Sequence, residues 1–415
     1  MTTTTPPIPP QKTTPPPATT TNTAPIADQL LSRSFLAAPD VHHDTDVATE
    51  EMLVNMGPQH PSTHGVLRLA LRTDGEIVLE AVPHIGYLHR CAEKIGENLP
   101  YVQYTPYTDR MDYLAAMNNN VAWCLAVEKL ANIEVPKRVD YIRVLMCELN
   151  RIASHLVSMG AYGLDMGAFT PFLYAFRERE LILDLFEAAC GARLTYSYAT
   201  IGGLTHDLTP QWLARCSEFL DYFEPKIDEY NKLLTYNHIF LKRTGNVGIL
   251  KKDIAIDYCI TGAMLRGSGF ARDLRKDRPY CSYQEFEFDI PTGTGQAGAL
   301  GDCWDRYFVR IQEMRQSLRI VRQAIAQMPD GLHRVPLARS FKIPPGEIYM
   351  ETEGARGALG FHIESHGGLT PYRVKVRGPS FCNLSVAGEL CKNVLLADVP
   401  AIVGSIDIVM GETDR

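Results

Sequence analysis

The period of apolar and polar positions changes twice along this chain. Residues 66–73 read Val-Leu-Arg-Leu-Ala-Leu-Arg-Thr and residues 76–82 read Glu-Ile-Val-Leu-Glu-Ala-Val, so both runs alternate. Asp74-Gly75 stands between them. Glycine tolerates the positive φ of a tight turn, so the segment predicts a β-hairpin. Further on, the period lengthens to three and four. It predicts helices over 112–132, 137–159, 170–191, 209–236 and 299–328. In the second of these, Ile142, Leu145, Leu149, Ile152 and Leu156 form the apolar stripe, with Asp140, Arg143 and Arg151 off it. In the last, the stripe runs Leu300, Trp304, Phe308, Ile311, Met314, Leu318, Val321 and Ile325. Thr170-Pro171 and Thr209-Pro210 predict a capping threonine followed by a first-turn proline. Alternation returns at 347–351, 360–365 and 372–376. Together these runs predict an α+β fold. Long helices form a bundle core, preceded by an N-terminal β-hairpin region and followed by a small C-terminal α+β lobe. The expected divisions are a β-rich loop region over 51–110, a helical core over 111–328 and a lobe over 329–415. Residues 1–25 are almost all Thr and Pro, and 1–50 is expected to be a disordered tail and lead-in.

Composition narrows the function classes. The 415 residues carry a net charge of −7, and no basic stripe exists to neutralise phosphates, so nucleic acid is not an expected partner. The ten cysteines are scattered, the nearest two being Cys382 and Cys391, and no C-x-x-C occurs. Zinc and iron–sulfur sites draw on closely spaced ligands, so no metal site is expected in this chain. The most apolar stretch, 153–176, contains His155, Asp165, Pro171 and glycines, which suits a buried helix–loop–helix better than a membrane span. The N-terminus has no charged start followed by an apolar run, so no secretory signal is expected. No phosphate-binding glycine motif and no nucleophile elbow occurs; Gly293-Thr-Gly295 lacks a following lysine.

A few segments remain as candidates for chemistry. Gly57-Pro-Gln-His-Pro-Ser-Thr-His-Gly65 spaces His60 and His64 four apart, but Pro58 and Pro61 forbid the regular helix that a metal pair would need. The segment reads as a rigid turn, either structural or presenting an imidazole to a pocket. His89, Arg90, Glu93 and Lys94 read equally well as a solvated helix start. Thr108-Asp-Arg-Met-Asp-Tyr113 reads as a helix start following several tyrosines. Asp165 stands alone among apolar residues and glycines, so a His or Arg is expected against it.

These segments resemble a known family, the 49 kDa (D-type) subunit of respiratory complex I. The resemblance runs from about Met52 to Arg415. It rests on the 57–65 loop, Pro83-His-Ile-Gly-Tyr-Leu-His-Arg90, Asp109-Arg-Met-Asp-Tyr113, Thr170-Pro-Phe-Leu-Tyr-Ala-Phe-Arg-Glu-Arg179, Pro371-Tyr-Arg-Val-Lys-Val-Arg-Gly-Pro-Ser-Phe381 and Asp407-Ile-Val-Met-Gly-Glu-Thr-Asp-Arg415. The family is similar to the large subunit of nickel–iron hydrogenases, which implies that fold here. Val409 and Glu412 stand where the relative has metal-binding cysteines, so the vacated site is free for an organic acceptor. The resemblance implies a subunit of a proton-pumping NADH–quinone oxidoreductase, active only within its complex. The quinone head group would lie between His64 and Tyr113, beside Thr63, with Asp165 orienting His64. Histidine and tyrosine can both donate protons to quinone oxygens. His60, His89, Arg90 and Asp112 would be structural or close to a neighbouring cluster. Electrons would come from the terminal iron–sulfur cluster of a partner subunit, with FMN and NADH in others. Further implied partners are a C-type (30 kDa-like) subunit and the membrane arm. The implied location is peripheral, on the cytoplasmic face of the bacterial inner membrane, or the matrix side of an organellar one. A ferredoxin-fed complex of the same build, and a docking scaffold without catalysis, are the alternatives. Relatives often carry an extra helix between Met328 and Gly346 that this chain lacks.

Overall fold

A computed structural model describes residues 51–338 and 341–415, so the expectations for residues 1–50 lie outside the described residues. Three antiparallel strands open the fold: β1 (Glu51–Met56), β2 (Arg68–Asp74) and β3 (Ile77–His84). The expected hairpin is β2–β3, and Gly75 supplies its turn at φ +58°. Its alternation buries Leu69, Leu71 and Val78 on one face. β1 carries no clear alternation to read, with Val54 partly buried and Met56 buried; pairing with β2 fixes it.

Two helices, α1 (Ala92–Asn98) and α2 (Tyr101–Asp109), follow, in a region expected to be β-rich. The expected helix start at 108–113 is therefore a correction. Asp109 ends α2, and a turn leads into α3 (Ala116–Leu130). Pro100 separates α1 from α2 because the residue before a proline avoids helical geometry. Tyr101 and Tyr104 are buried against Trp123 of α3.

The centre of the molecule is α4 (Lys137–Asp165), packed against α5 (Thr170–Cys190) and, through its other faces, α7 (Cys303–Ala326). Ile142, Leu145, Leu149, Ile152 and Leu156 are completely buried. Each contributes about 1.5–3 kcal/mol of apolar burial, far more than helix propensity supplies. Arg143 and Arg151, off the apolar stripe, are buried as well. They are not solvated because α4 is enclosed on all sides. Arg143 makes two hydrogen bonds to Glu128, at 2.8 and 2.6 Å. Arg151 donates to the carbonyls of Gly354 and Glu353.

α4 continues past 159 to Asp165. Its glycines are contact points and not breakers. A Cβ on Gly160 would come within 3.1 Å of Phe172 Cα, so the glycine lets α5 pack close. Thr170 is not a cap: Phe169 before it is already helical and no side chain caps the helix. Thr209 does cap α6 (Pro210–Tyr230), its hydroxyl accepting from Trp212 N at 3.2 Å. The residues to 235 finish that helix as a π turn. α7 starts at Cys303, and Leu300, expected on its stripe, lies exposed before it.

The C-terminal part holds a second antiparallel sheet, β4 (Gly346–Gly354), β5 (Gly357–Ser365) and β6 (Arg373–Arg377), which packs Phe361 edge-on against Trp123. The chain then runs through α8 (Pro379–Leu384) and returns to the first sheet. There β7 (Val394–Leu395) pairs with β3. Two last helices, α9 (Val399–Ile406) and α10 (Met410–Asp414), lie beneath the 57–65 loop. Among the described residues no helix is long and apolar enough to cross a membrane.

Candidate functional site

The 57–65 loop is a short 3-10 turn, Pro61–Thr63, bounded by residues that need unusual backbone. Gly57 has φ +85°, and a Cβ there would sit 2.0 Å from the Leu67 carbonyl oxygen. Within the turn, His60 Nδ1 accepts from Ser62 N at 3.2 Å. The Thr63 hydroxyl donates to His60 O at 2.7 Å. Thr63 is completely buried, and its hydroxyl is engaged within the loop. His64 then adopts φ +50° and turns its imidazole inward, away from His60. Its Nε2 meets Asp165 Oδ2 at 2.8 Å, with 18% and 7% of the two side chains exposed. The carboxylate expected to need a cationic partner thus has one, 101 residues away in sequence.

Asp165 can occupy that place because α9 leaves room for it. A Cβ on Gly404 would lie 2.6 Å from Asp165 Oδ2, so only glycine fits. Burial works to lower the His64 pKa. The hydrogen bond and charge of Asp165, joined by the charge of Asp407, outweigh it and raise the pKa above the ordinary value.

Tyr113 lies half-buried in the turn between α2 and α3, next to the buried Asp112. Burial raises its pKa, Asp112 adds to the rise, and Arg356 and Arg90 oppose it. Arg356 is common to the surroundings of both residues. Its charge bears on both His64 and Tyr113. It donates to Asp112 Oδ2 at 2.7 Å and Ser154 Oγ at 3.0 Å, and stands 3.5 Å from Asp407 Oδ1. Two of its three nitrogens, Nε and Nη2, are buried without a hydrogen-bond partner, as are Asp407 Oδ2 and Arg310 Nε. Some of these atoms face one another across the Arg356–Asp407 and Arg310–Asp407 ion pairs, at 3.5 and 3.6 Å, without forming hydrogen bonds.

The remaining candidates lie at the edge. His89 and Arg90 are exposed; His89 Nδ1 is 2.7 Å from Asp414 O, and Arg90 donates to Arg110 O. Neither makes the local ion pair of a solvated helix start; the pair near there is Lys94–Glu97. A broad open hollow of about 870 Å³ flanks the loop, lined by Pro58, His60, Gly65 and Tyr87 among others. Among the described residues no cluster of His, Cys, Asp and Glu could hold a metal ion, and all ten cysteines are free thiols.

Sequence reasoning missed Arg356, Ser154 and the part played by Asp407 and Glu412. Arg356 did leave a signal, a charge in the tight Gly-Ala-Arg-Gly turn between two strands with buried faces. A buried turn with such a residue implies a fixed electrostatic task or an ion-pair partner.

Comparison with known proteins shows the family. The family described as the respiratory-chain NADH dehydrogenase 49 Kd subunit matches residues 165–340 and 332–415. The D-type subunit of the NADH-quinone oxidoreductase of Chlorobium luteolum is 53% identical over 376 residues, covering 90% of this chain and 95% of its own length. That of Chlorobaculum tepidum is 51% identical, covering 90% of this chain and 94% of its own length. A D-type counterpart from Opitutus terrae is 50% identical over 392 residues, covering 88% of this chain and 91% of its own length.

Proposed function

Because this chain belongs to the family of the respiratory-chain NADH dehydrogenase 49 kDa subunit, we propose that it forms one wall of the quinone-reduction pocket of an NADH–quinone oxidoreductase. One observation carries the reading. A histidine held by a carboxylate and a half-buried tyrosine both lie within the field of one buried cation, Arg356, which bonds Asp112 beside the tyrosine. Quinone reduction adds two electrons and two protons, and the groups present match the proton half of that task. Asp165 favours the charged, proton-bearing form of His64 and fixes the orientation of its ring. Tyr113 keeps its proton at neutral pH and so serves as a hydrogen-bond donor to a carbonyl oxygen. Thr63, expected beside the head group, is buried, so its part is to fix the turn that presents His64. His60 has the same holding task.

The electrons come, in this proposal, from an iron–sulfur cluster in a partner subunit, because this chain has no clustered thiolates. Exposed His89 and Arg90 face that partner. FMN and the NADH site belong to further subunits, and a C-type (30 kDa-like) subunit and the membrane arm complete the assembly. The chain docks peripherally, on the cytoplasmic face of the bacterial membrane. Residues 51–110 supply the loop region, 111–328 the helical core and 329–415 the lobe that carries Arg356 and the C-terminal helices.

The test is Tyr113→Phe in the assembled complex, with quinone-dependent and quinone-independent NADH oxidation measured together. The expected result is a loss of quinone reduction of about 10²-fold, with the soluble-acceptor activity unchanged. Full turnover with the native quinone would exclude the assigned role.

A further inference from the structure

The backbone that carries Tyr113 is tied down at several points, and its hydroxyl at none. Asp112 Oδ1 accepts from Leu114 N and from Ala115 N, both at 3.2 Å, so this carboxylate closes the turn around Tyr113. Asn150 on α4 holds the next residues: it donates to Leu114 O at 3.3 Å and accepts from Met117 N at 3.0 Å. Among the described residues the Tyr113 hydroxyl has no hydrogen-bond partner. The place of the phenol therefore follows from the turn beneath it.

One side chain ties that turn to the second sheet. Arg356 Nη1 donates to the other carboxylate oxygen of Asp112, Oδ2, at 2.7 Å, and to Ser154 Oγ at 3.0 Å. Ser154 lies on α4 one turn beyond Asn150, so both holds reach the same face of one helix. Arg356 is itself fixed through its backbone. Asn383 on α8 donates to Arg356 O at 3.0 Å and accepts from Thr261 N at 3.2 Å. Thr261 Oγ1 in turn accepts from Ala358 N, on the other side of the β4–β5 turn, at 3.1 Å. A Cβ on Gly262 would stand 2.4 Å from Arg356 O, so the turn is packed without slack. The side chains of Arg356 and Asp112 are 1% and 4% exposed, which leaves water little chance to replace their bond. A charge-assisted bond of this kind is about twice as strong as a neutral one.

We propose that Arg356 is a positioning residue for quinone reduction, which sets the place of the Tyr113 phenol through its bond to Asp112. The inference rests on the quinone-pocket reading above. Arg356 acts at one remove: its bond ends on Asp112, the covalent neighbour of Tyr113, and no contact with the substrate is required of it. The helix that receives Arg356 at Ser154 ends at Asp165, the partner of His64. One rigid element thus serves as the reference for both the histidine and the tyrosine. Misplacing a reacting group by about 1 Å can cost about 10²-fold in rate, so a slack turn at Asp112 lowers turnover while leaving the pocket able to bind.

The experiment measures kcat and KM for a short-chain quinone in the assembled complex, normalised to NADH oxidation by a soluble acceptor. It compares wild type, Arg356→Gln and Arg356→Lys, and combines Arg356→Gln with Tyr113→Phe and, separately, with His64→Gln. Arg356→Gln is expected to lower kcat about 10-fold and to leave KM within about 2-fold. Arg356→Lys, which keeps a charged donor, should recover most of that loss. In the Tyr113→Phe background, Arg356→Gln should lower turnover no further, because the group it positions is already gone. In the His64→Gln background the loss of about 10-fold should persist. Losses that multiply with Tyr113→Phe overturn the proposal, as does an Arg356→Gln complex with the wild-type kcat. If Arg356→Gln fails to assemble, Asp112→Asn, which keeps the shape of the side chain but not the charged bond, decides through the same cycle. The underlying reading fails separately: Tyr113→Phe alone would then show full turnover. An impaired Tyr113→Phe whose loss multiplies with that of Arg356→Gln overturns the positioning role and leaves the reading standing.

Discussion

Two histidine–carboxylate pairs in this chain have the same length and opposite character. His64–Asp165 and His155–Glu313 both measure 2.8 Å. His64 is raised above its ordinary value: burial works against it, but Asp165 and Asp407 prevail. His155 is lowered: burial prevails over Glu313, and Arg151 adds to the lowering. The difference lies in what else the carboxylate serves. Glu313 is fully buried and already neutralised by Arg266, which approaches it at 2.6 Å. Among the described residues, Asp165 has no guanidinium at ion-pair distance, and its ion-pair contact is the His64 imidazole. A pair of one length therefore disfavours the charged imidazole at His155 and favours it at His64. Distance alone does not distinguish them; the second partner of the carboxylate does.

The largest expected effect comes from breaking the core pair. Glu313→Gln leaves Arg266 with reduced compensation inside a cluster that also contains Glu353, Asp273, Arg275 and Glu148. The expected loss is about 3–5 kcal/mol, read from the denaturant midpoint of the assembled complex. An unchanged midpoint would show that the core cluster is not a single network. Asp165→Asn, the matching change at the rim, is expected to cost about 1–2 kcal/mol in the same assay. It should also lower the His64 pKa, since both raising contributions of Asp165 weaken.

The two histidines also predict opposite pH signatures. The folded His64 binds its proton more tightly than the unfolded chain does. Its stabilisation is present below the ordinary histidine value and lost as pH rises through the raised one. The folded His155 binds its proton less tightly, so its contribution is present above the ordinary value and lost as pH falls. His64→Gln should flatten the alkaline side of a stability–pH curve, and His155→Gln the acid side. Matching curves for the two variants would contradict the contrast. The smallest effect concerns two Thr-Pro helix starts that look alike in sequence. Thr209→Ala removes a capping bond and is expected to cost about 1 kcal/mol. Thr170→Ala removes none and should stay within about 0.5 kcal/mol, by the same denaturant midpoint.

Those two threonines show how far sequence reaches. Periodicity locates the hairpin and the long helices because one face of each is buried, and burial writes itself into spacing. It does not reveal that Arg143 and Arg151 are buried, because an enclosed helix needs ion-pair partners from elsewhere in the chain. β1 leaves no clear signal because it is defined more by pairing than by burial. At the site, His64, Tyr113 and Asp165 are legible through motif resemblance, and the requirement of a buried carboxylate for a partner gives one contact by physics. Arg356, Asp407 and Glu412 converge from two separate segments, the β4–β5 turn and the C-terminal helices. Such convergence is a property of the fold and has no local sequence pattern.

The most direct test of the central claim is photolabelling of the assembled complex with a photoreactive analogue of its native quinone, followed by peptide mapping. The account predicts label on peptides carrying His64 and Tyr113, suppressed by excess native quinone and lost from the second peptide in Tyr113→Phe. Label confined to other segments of this chain, or to partner subunits alone, would contradict it.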